Sequence, residues 1–282
     1  MSKQAKYTLL SLVLFSLLSS SLIGQSTIWT YGTARNVPKR QAEFGIIHPM
    51  QIGLTETLEV STSPLLLLSL APNISFKNRW YTGQNLMIAT KHTYAMPTMG
   101  IRFLGEDVLF TNDSIFDLIP DTIPYLFYLR NKAFFTWRIG RETLLTANVG
   151  ASFAIKSNGD SLPYFERPML YPHSTTFNNK FTWDIGAQID GNIYRNHNYS
   201  ASLDFHSVGL GVNDFALVHK GYYIYNHSIK FAVLAGYRIM FASYPGTALS
   251  KDPYKRFSMM PMIDLIWKIN AKKEPVKDLF RR

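Results

Sequence analysis

Residues 180–190 read KFTWDIGAQID, and the alternation inside them decides the fold class. Phe181, Trp183, Ile185, Ala187 and Ile189 share one face of an extended chain, and Thr182, Asp184, Gly186, Gln188 and Asp190 share the other. Strand side chains point alternately to opposite faces, so this is a strand with one apolar and one polar side. After a short turn near Tyr194–Asn196 the pattern resumes, with Tyr199, Ala201, Leu203 and Phe205 against Ser200, Ser202, Asp204 and His206. The stretches 145–155 and 229–239 repeat it. Such runs are about 9–13 residues long, whereas soluble strands average roughly 5–6 and tilted bilayer-crossing strands need about 9–11. Long two-faced strands predict an all-β, single-chain antiparallel transmembrane β-barrel, with lipid outside and a polar interior. Closure follows because an open edge in hydrocarbon leaves amide groups unpaired, at several kcal/mol each.

Working outward, short connections near Thr55–Thr57, Tyr81–Gln84, Gly140–Glu142, Tyr194–Asn196 and Asn226–His227 alternate with longer ones. The longer ones lie at about 96–121, 157–179 and 242–256, with lesser ones at 68–71 and 209–213. Eleven strands fit between them: about 42–54, 58–67, 72–80, 85–95, 122–139, 143–156, 180–193, 198–208, 214–225, 228–241 and 257–269. An initial strand through Trp29–Arg35 brings the expectation to about twelve, within a range of about ten to fourteen. Pro49 and Pro261 conflict with their proposed strands, since proline supplies no ladder donor. Residues 96–104 look strand-like but fall in a loop by parity.

The whole chain is consistent with this pattern. It has 282 residues, 46% hydrophobic, 14% aromatic and 17% charged, with formal charge +10 and no cysteine. A charged fraction this low with so many aromatics excludes a disordered chain. Absence of cysteine excludes disulfides, thiolate metal sites, a Cys nucleophile and a lipidated N-terminal Cys. Mean hydropathy is −0.04 because each apolar residue is diluted by a polar neighbour. Lys3 and Lys6, the apolar Tyr7–Leu18 and the small polar Ser19–Gln25 read as a secretory signal peptide. Cleavage is expected after Gly24, with Ser20 or Ser21 as alternatives, leaving a chain of charge +8. The expected organisation is a signal peptide at 1–24, an outer-membrane β-barrel at 25–270 and a charged C-terminal periplasmic tail at 271–282.

The segments Trp29–Arg35, Phe44–Pro49, Gly53–Thr55, Leu58–Thr62 and Pro72–Asn73 resemble the N-terminal half of a poorly characterised family of Bacteroidota-type outer-membrane β-barrels. The resemblance covers about the first third of the chain. It implies a barrel in the outer membrane of a Gram-negative bacterium and implies no activity. The chain departs from the usual barrel ending on an aromatic, because the last strand stops near Ile269 and Lys272–Arg282 follow. Recognition by the outer-membrane assembly machinery would then rest on Trp267 or an internal signal. Bacteroidota O-glycosylate Asp-Ser/Thr-apolar triplets, which makes Ser114, Thr122 and Ser161 candidate sites, with about one such match expected by chance.

Barrel lipases and lipid A deacylases resemble one another in a His-x-Ser pair, and none of the seven histidines here has Ser two positions later. His173-Ser174, His206-Ser207 and His227-Ser228 are adjacent and would point to opposite faces, so the expectation is no enzyme. No metal-ligand spacing or basic–aromatic module is present, so neither cofactor, metal nor nucleic acid is expected.

What remains is the polar face. Asp184, Gln188, Asp190, Asp204 and His206 come from one hairpin, in which a symmetric turn would set Asp184 opposite Asp204. Facing them are Arg130, Lys132 and Arg138, then Lys230 and Arg238, then Lys77 and Arg79. Trp29, Trp80, Trp137, Tyr199 and Trp267 lie near strand ends, where interface aromatics belong. Acids and bases on different walls either hold an open water-filled lumen or close it by ion pairing. The first outcome is a channel or transporter for small solutes, and the second is a structural or assembly-partner barrel of the cell envelope. Expected partners are outer-membrane lipids and lipopolysaccharide, the assembly machinery and an envelope protein.

Overall fold

The computed structural model describes residues 29–99, 124–139, 142–157, 175–208, 214–245 and 254–271. Twelve antiparallel strands close into one barrel. They are β1 (Ala42–Phe44), β2 (Met50–Gly53), β3 (Leu58–Thr62), β4 (Asn73–Thr82), β5 (Leu86–Ala95) and β6 (Leu126–Arg138). They continue with β7 (Thr143–Lys156), β8 (Phe181–Tyr194), β9 (His197–Ser207), β10 (Phe215–Tyr225), β11 (Phe231–Tyr244) and β12 (Tyr254–Ile269). Two one-turn helices, α1 (Pro64–Leu68) and α2 (Thr175–Asn179), lie beyond β3 and before β8. Each strand pairs with its sequence neighbours, and β1 closes on β12 through Ala42↔Ile269, Glu43↔Lys268 and Phe44↔Trp267. Short turns gather at one end with both β1's start and β12's finish, and the other, the loop end, is where β3, β5, β7, β9 and β11 finish.

The exterior is mostly apolar, with an aromatic belt at each end. At the turn end Phe44, Trp267 and Phe231 follow one another with ring centroids 5.6 Å apart. At the loop end Phe205, Phe215 and Phe241 form a similar chain at 5.7 and 5.8 Å. Along β11 the belts are ten residues apart, which at ordinary strand rise and tilt is about 25 Å, the height of a barrel's lipid-facing band. Trp80, Trp137, Tyr199 and Trp267 stand on this outer face toward the turn end. Trp29 does not, being buried inside the barrel with Ile224, Ala232, Leu234, Met262 and Ile266.

The strand count is met, but by different strands. Trp29–Arg35 forms no strand, and the single run expected at 42–54 is the hairpin β1–β2. The reason is local: Gly45 and Pro49 flank a tight connection whose amides turn onto one carboxylate. Asp264 of β12 accepts hydrogen bonds from Ile46 N at 2.8 Å, Ile47 N at 3.0 Å, His48 N at 2.5 Å and its neighbour Leu265 N at 2.9 Å. A Cβ at Gly45 would fall 2.6 Å from Asp264 Oδ2, so glycine is needed for this approach. Pro49 thus lies outside any strand. Pro261 stays inside β12, opposite Tyr237. Lys268 N donates to Lys230 O on the β11 side. By alternation, odd positions of β12 point their amides away from β11. There, beyond Trp267, β12 meets no strand among the described residues, and a proline removes nothing.

Replacing Asp264 with Ala strands four amide donors, so unfolding stability in lipid vesicles should fall by about 3 kcal/mol or more, with Asn recovering about half. Urea midpoints of the three proteins measure this, and an unchanged midpoint in Asp264→Ala would contradict the role assigned to the carboxylate.

Candidate functional site

Inside the barrel, side chains of neighbouring strands align in rows set by the pairing register. One row runs Glu59, Lys77, Lys91, Lys132, Gly150, Asp184 and His206 across β3 to β9. The next runs Ser61, Ser75, Thr93, Arg130, Ser152 and Thr182 across β3 to β8. Charges on these rows join into a chain of alternating sign. Arg130 lies 2.7 Å from Asp184, Lys132 lies 3.2 Å from both Asp184 and Asp204, and Lys220 lies 3.2 Å from Asp204.

Glycines make this reach possible. Gly150 sits between Lys132 and Asp184 in register, and a Cβ there would come 2.6 Å from the Asp184 carboxylate. Gly186 sits opposite Asp204, and a Cβ there would come 2.3 Å from its carboxylate. Each acid therefore lies flat across a bare neighbouring strand toward its cation. The expected Asp184–Asp204 pairing is corrected: the turn lies at Arg195–Asn196 and not around Tyr194, and with a one-residue shift between Asn192 and Tyr194 this places His206 opposite Asp184. The like-charge conflict expected between the two acids is thereby replaced by a shared lysine.

The second element of the lumen is the chain's own N-terminal part, residues 29–41, which crosses the turn end of the barrel from β10–β12 to β3–β4. Trp29 packs among the apolar residues of β10–β12. The Tyr31 carbonyl accepts from Gln188 Nε2 at 2.7 Å, and the same amide nitrogen lies 2.9 Å from both Asp190 oxygens. Gly32 takes φ +83°, and a Cβ there would meet the Gln188 side chain at 2.4 Å, so only glycine passes this point. Ala34 N donates to Thr136 Oγ1 at 2.8 Å, and Val37 N donates to Glu59 Oε2 at 2.8 Å. Lys77 Nζ donates to the Arg35 carbonyl, and Asn36 Nδ2 to the Thr57 carbonyl. Burial raises the Tyr31 phenol above its ordinary pKa, and neighbouring Tyr222 adds to the rise, so this crossing segment stays un-ionised at Tyr31.

Above the crossing segment is a cavity of about 300 Å³ that extends from Tyr31–Thr33 to α1. Of the expected lumen residues, Gln188, Asp204, His206, Arg130, Lys132, Arg238 and Lys77 line it. Asp184 and Asp190 face inward and are buried beside it. Three others sit at the turn-end rim. Arg79 reaches the Glu56 carbonyl at 2.7 Å, and Arg138 reaches Asn85 Oδ1 at 3.1 Å. Lys230 is a correction: it is exposed in the β10–β11 turn, because β11 begins one residue later at Phe231. Glu59, Lys91 and Lys220 complete the cavity's charged lining and were not singled out by sequence. Ser114, Thr122 and Ser161 lie outside the described residues.

No protein-family model and no curated protein matches this chain. Among solved structures, it is similar to in-vitro folded OmpT, an outer membrane protein of Vibrio cholerae, in its trimer form. That match has a TM-score of 0.39 and 8% identity, covering 81% of this chain and 64% of the other. A second structure of that protein matches with a TM-score of 0.40, 8% identity and coverage of 87% and 71%. A bacterial polysaccharide outer membrane secretin matches with a TM-score of 0.40, 10% identity and coverage of 82% and 70%. The chain thus spans just under two thirds of the first structure's length.

Lys132 bridges two buried carboxylates, whereas Lys220 serves one and is more exposed. Lys132→Met should therefore lower unfolding stability by about 3 kcal/mol or more, and Lys220→Met by less, because removing one partner strands buried charge. Equal losses in vesicle unfolding would contradict the bridging arrangement.

Proposed function

We propose that this protein is an outer-membrane barrel that acts as a channel or transporter for small solutes, held shut at rest by residues 29–41. The apolar band and its aromatic belts support a bilayer location. In bacterial barrels the short turns face the periplasm, which puts the crossing segment at the periplasmic mouth. The leader-like 1–24 and the resemblance to Bacteroidota barrels favour the outer membrane of a Gram-negative bacterium, with lipids and lipopolysaccharide as the surroundings. The observation that carries the solute reading is the charged cavity of about 300 Å³, which ends on a folded-in segment of the chain rather than on a packed core.

A second reading, a structural or assembly-partner barrel, is favoured by the number of ties on that segment. Its hydrogen bonds reach β3, β4, β6 and β8 as well as the β2–β3 turn, and its Trp29 and Ala34 pack into two apolar clusters. A barrel so tied could serve as a closed scaffold for an envelope protein.

Conductance separates the two. Thr136→Val with Glu59→Gln weakens the Ala34 and Val37 ties by about 2 kcal/mol together, which shifts a closed–open equilibrium by about 30-fold. In planar bilayers the native protein should open rarely, and the double variant should stay open correspondingly longer. Silence from both, in preparations with the heat-dependent gel shift of a folded barrel, would overturn the channel and leave the scaffold.

A further inference from the structure

Three lysines stand side by side on adjacent strands, Lys77 opposite Lys91 and Lys91 opposite Lys132. Neighbouring strands are only about 4.8 Å apart, and like charges placed directly opposite destabilise a sheet. The outer two are compensated. Lys77 lies 4.0 Å from Glu59, and Lys132 is held between Asp184 and Asp204. Lys91, in the middle, faces the cavity with no close ion pair or hydrogen bond to its ammonium among the described residues, and feels the longer-range attraction of Glu59, which Lys77 already uses. One row further toward the loop end lie Ser61, Ser75, Thr93 and Arg130, all lining the same cavity. Ser75 and Thr93 hydroxyls are 2.9 Å apart, so the pair presents a further donor direction to the space before them.

A cationic row beneath a hydroxyl row is a wall made of donors. Ammonium groups donate and never accept, a guanidinium likewise, and hydroxyls rotate to donate. Glu59, Asp184 and Asp204 are engaged by Lys77, Lys132, Arg130 and Lys220, and Asp190 by Gln188. The wall therefore presents an excess of positive charge and hydroxyls, with Glu59 at its edge as the carboxylate of the row. We propose that this wall, centred on Lys91 with Lys77, Arg130, Ser75 and Thr93, is a binding site for a small tetrahedral oxyanion of the phosphate class. The cavity has room for the ion with a small organic group attached. With Lys77 and Lys132 compensated, Lys91 carries the row's remaining charge, and an oxyanion beside it would offset that charge. Hydrogen bonds from charged donors to phosphate oxygens are short and strong, and they account for recognition without any base-paired or metal-bridged contact.

The site deepens the solute reading of the lumen and rests on it, so its test does not depend on conduction. Inorganic phosphate is titrated calorimetrically into barrel folded in detergent, in chloride at physiological ionic strength. Saturable binding is expected. Lys91→Met should weaken it at least about tenfold, as loss of one charge-assisted contact requires. Lys91→Arg should keep affinity within about threefold of the native protein, because a cation stays in place. Ser75→Ala with Thr93→Val should weaken binding while leaving every charge intact. The unfolding temperature of Lys91→Met without phosphate should hold or rise, since repulsion is removed, so lost binding cannot be put down to misfolding. Absence of saturable binding in the native protein, or equal binding by Lys91→Met, would overturn the site. Phosphate binding that needs Lys91, in a barrel whose double variant conducts nothing, keeps the site and overturns the channel. Conductance without phosphate binding does the reverse.

Discussion

Every feature of this barrel depends on a backbone that must be paired throughout its lipid-facing band, and the seam between β12 and β1 is where that requirement is hardest to meet. β1 is three residues long and β2 four, so the ladder cannot run the height of β12. Asp264 substitutes for the missing ladder. Its two oxygens take the amides of the β1–β2 connection and one amide of β12 itself. A carboxylate that would be costly alone in this setting becomes stable because four donors converge on it. Pro261, placed where β12 has no strand to donate to, belongs to the same solution. Past the three residue pairs of β1 and β12, the seam is held by side-chain chemistry and not by strand pairing.

The interior obeys a related economy of partners. Buried acids and bases need geometry good enough to offset their lost hydration, and here the geometry comes from what is missing. Gly150 and Gly186 carry no side chains, so Asp184 and Asp204 can lean across a strand to reach Lys132. Were either position alanine, a methyl would occupy the space the carboxylate uses. The polar face of the barrel is thus a designed alternation of charge and void. This also explains how Lys132 can serve two acids from strands two and three removed from its own.

Much of this was legible in the chain. Strand lengths, turn parity and the inward faces of β7 to β9 follow from alternation, which is local and survives any error in pairing. Register is not local: the turn lies at Arg195–Asn196 and the ladder shifts by one residue between Asn192 and Tyr194, which together set Asp184 against His206 and not Asp204. Within the segment 29–41, Trp29–Arg35 reads as a strand because one more strand brings the count to twelve. What sends it inward is contact with Thr136 and Gln188, more than a hundred residues away, and the left-handed backbone at Gly32. Lys91 stayed hidden for another reason. The outer face of β5 carries Thr90 and His92, and His92 Nδ1 lies 2.6 Å from Asn131 Oδ1. With polar residues on both faces, alternation no longer marks the inward one, and only the row shared with Lys77 and Lys132 reveals it.

Lys77 ties the two functional elements together. Its ammonium donates to the Arg35 carbonyl of the crossing segment, it pairs with Glu59, and Glu59 in turn accepts from Val37 of that segment. The same lysine borders Lys91 on the cationic wall. An anion that draws Lys77 toward the wall weakens a tie on the crossing segment. By linkage, release of that segment leaves Lys77 free to strengthen the anion's hold, and the two effects are equal in free energy. The tie and the site compete for one ammonium, and a shared donor of this kind couples ligand and plug without any larger rearrangement of the barrel.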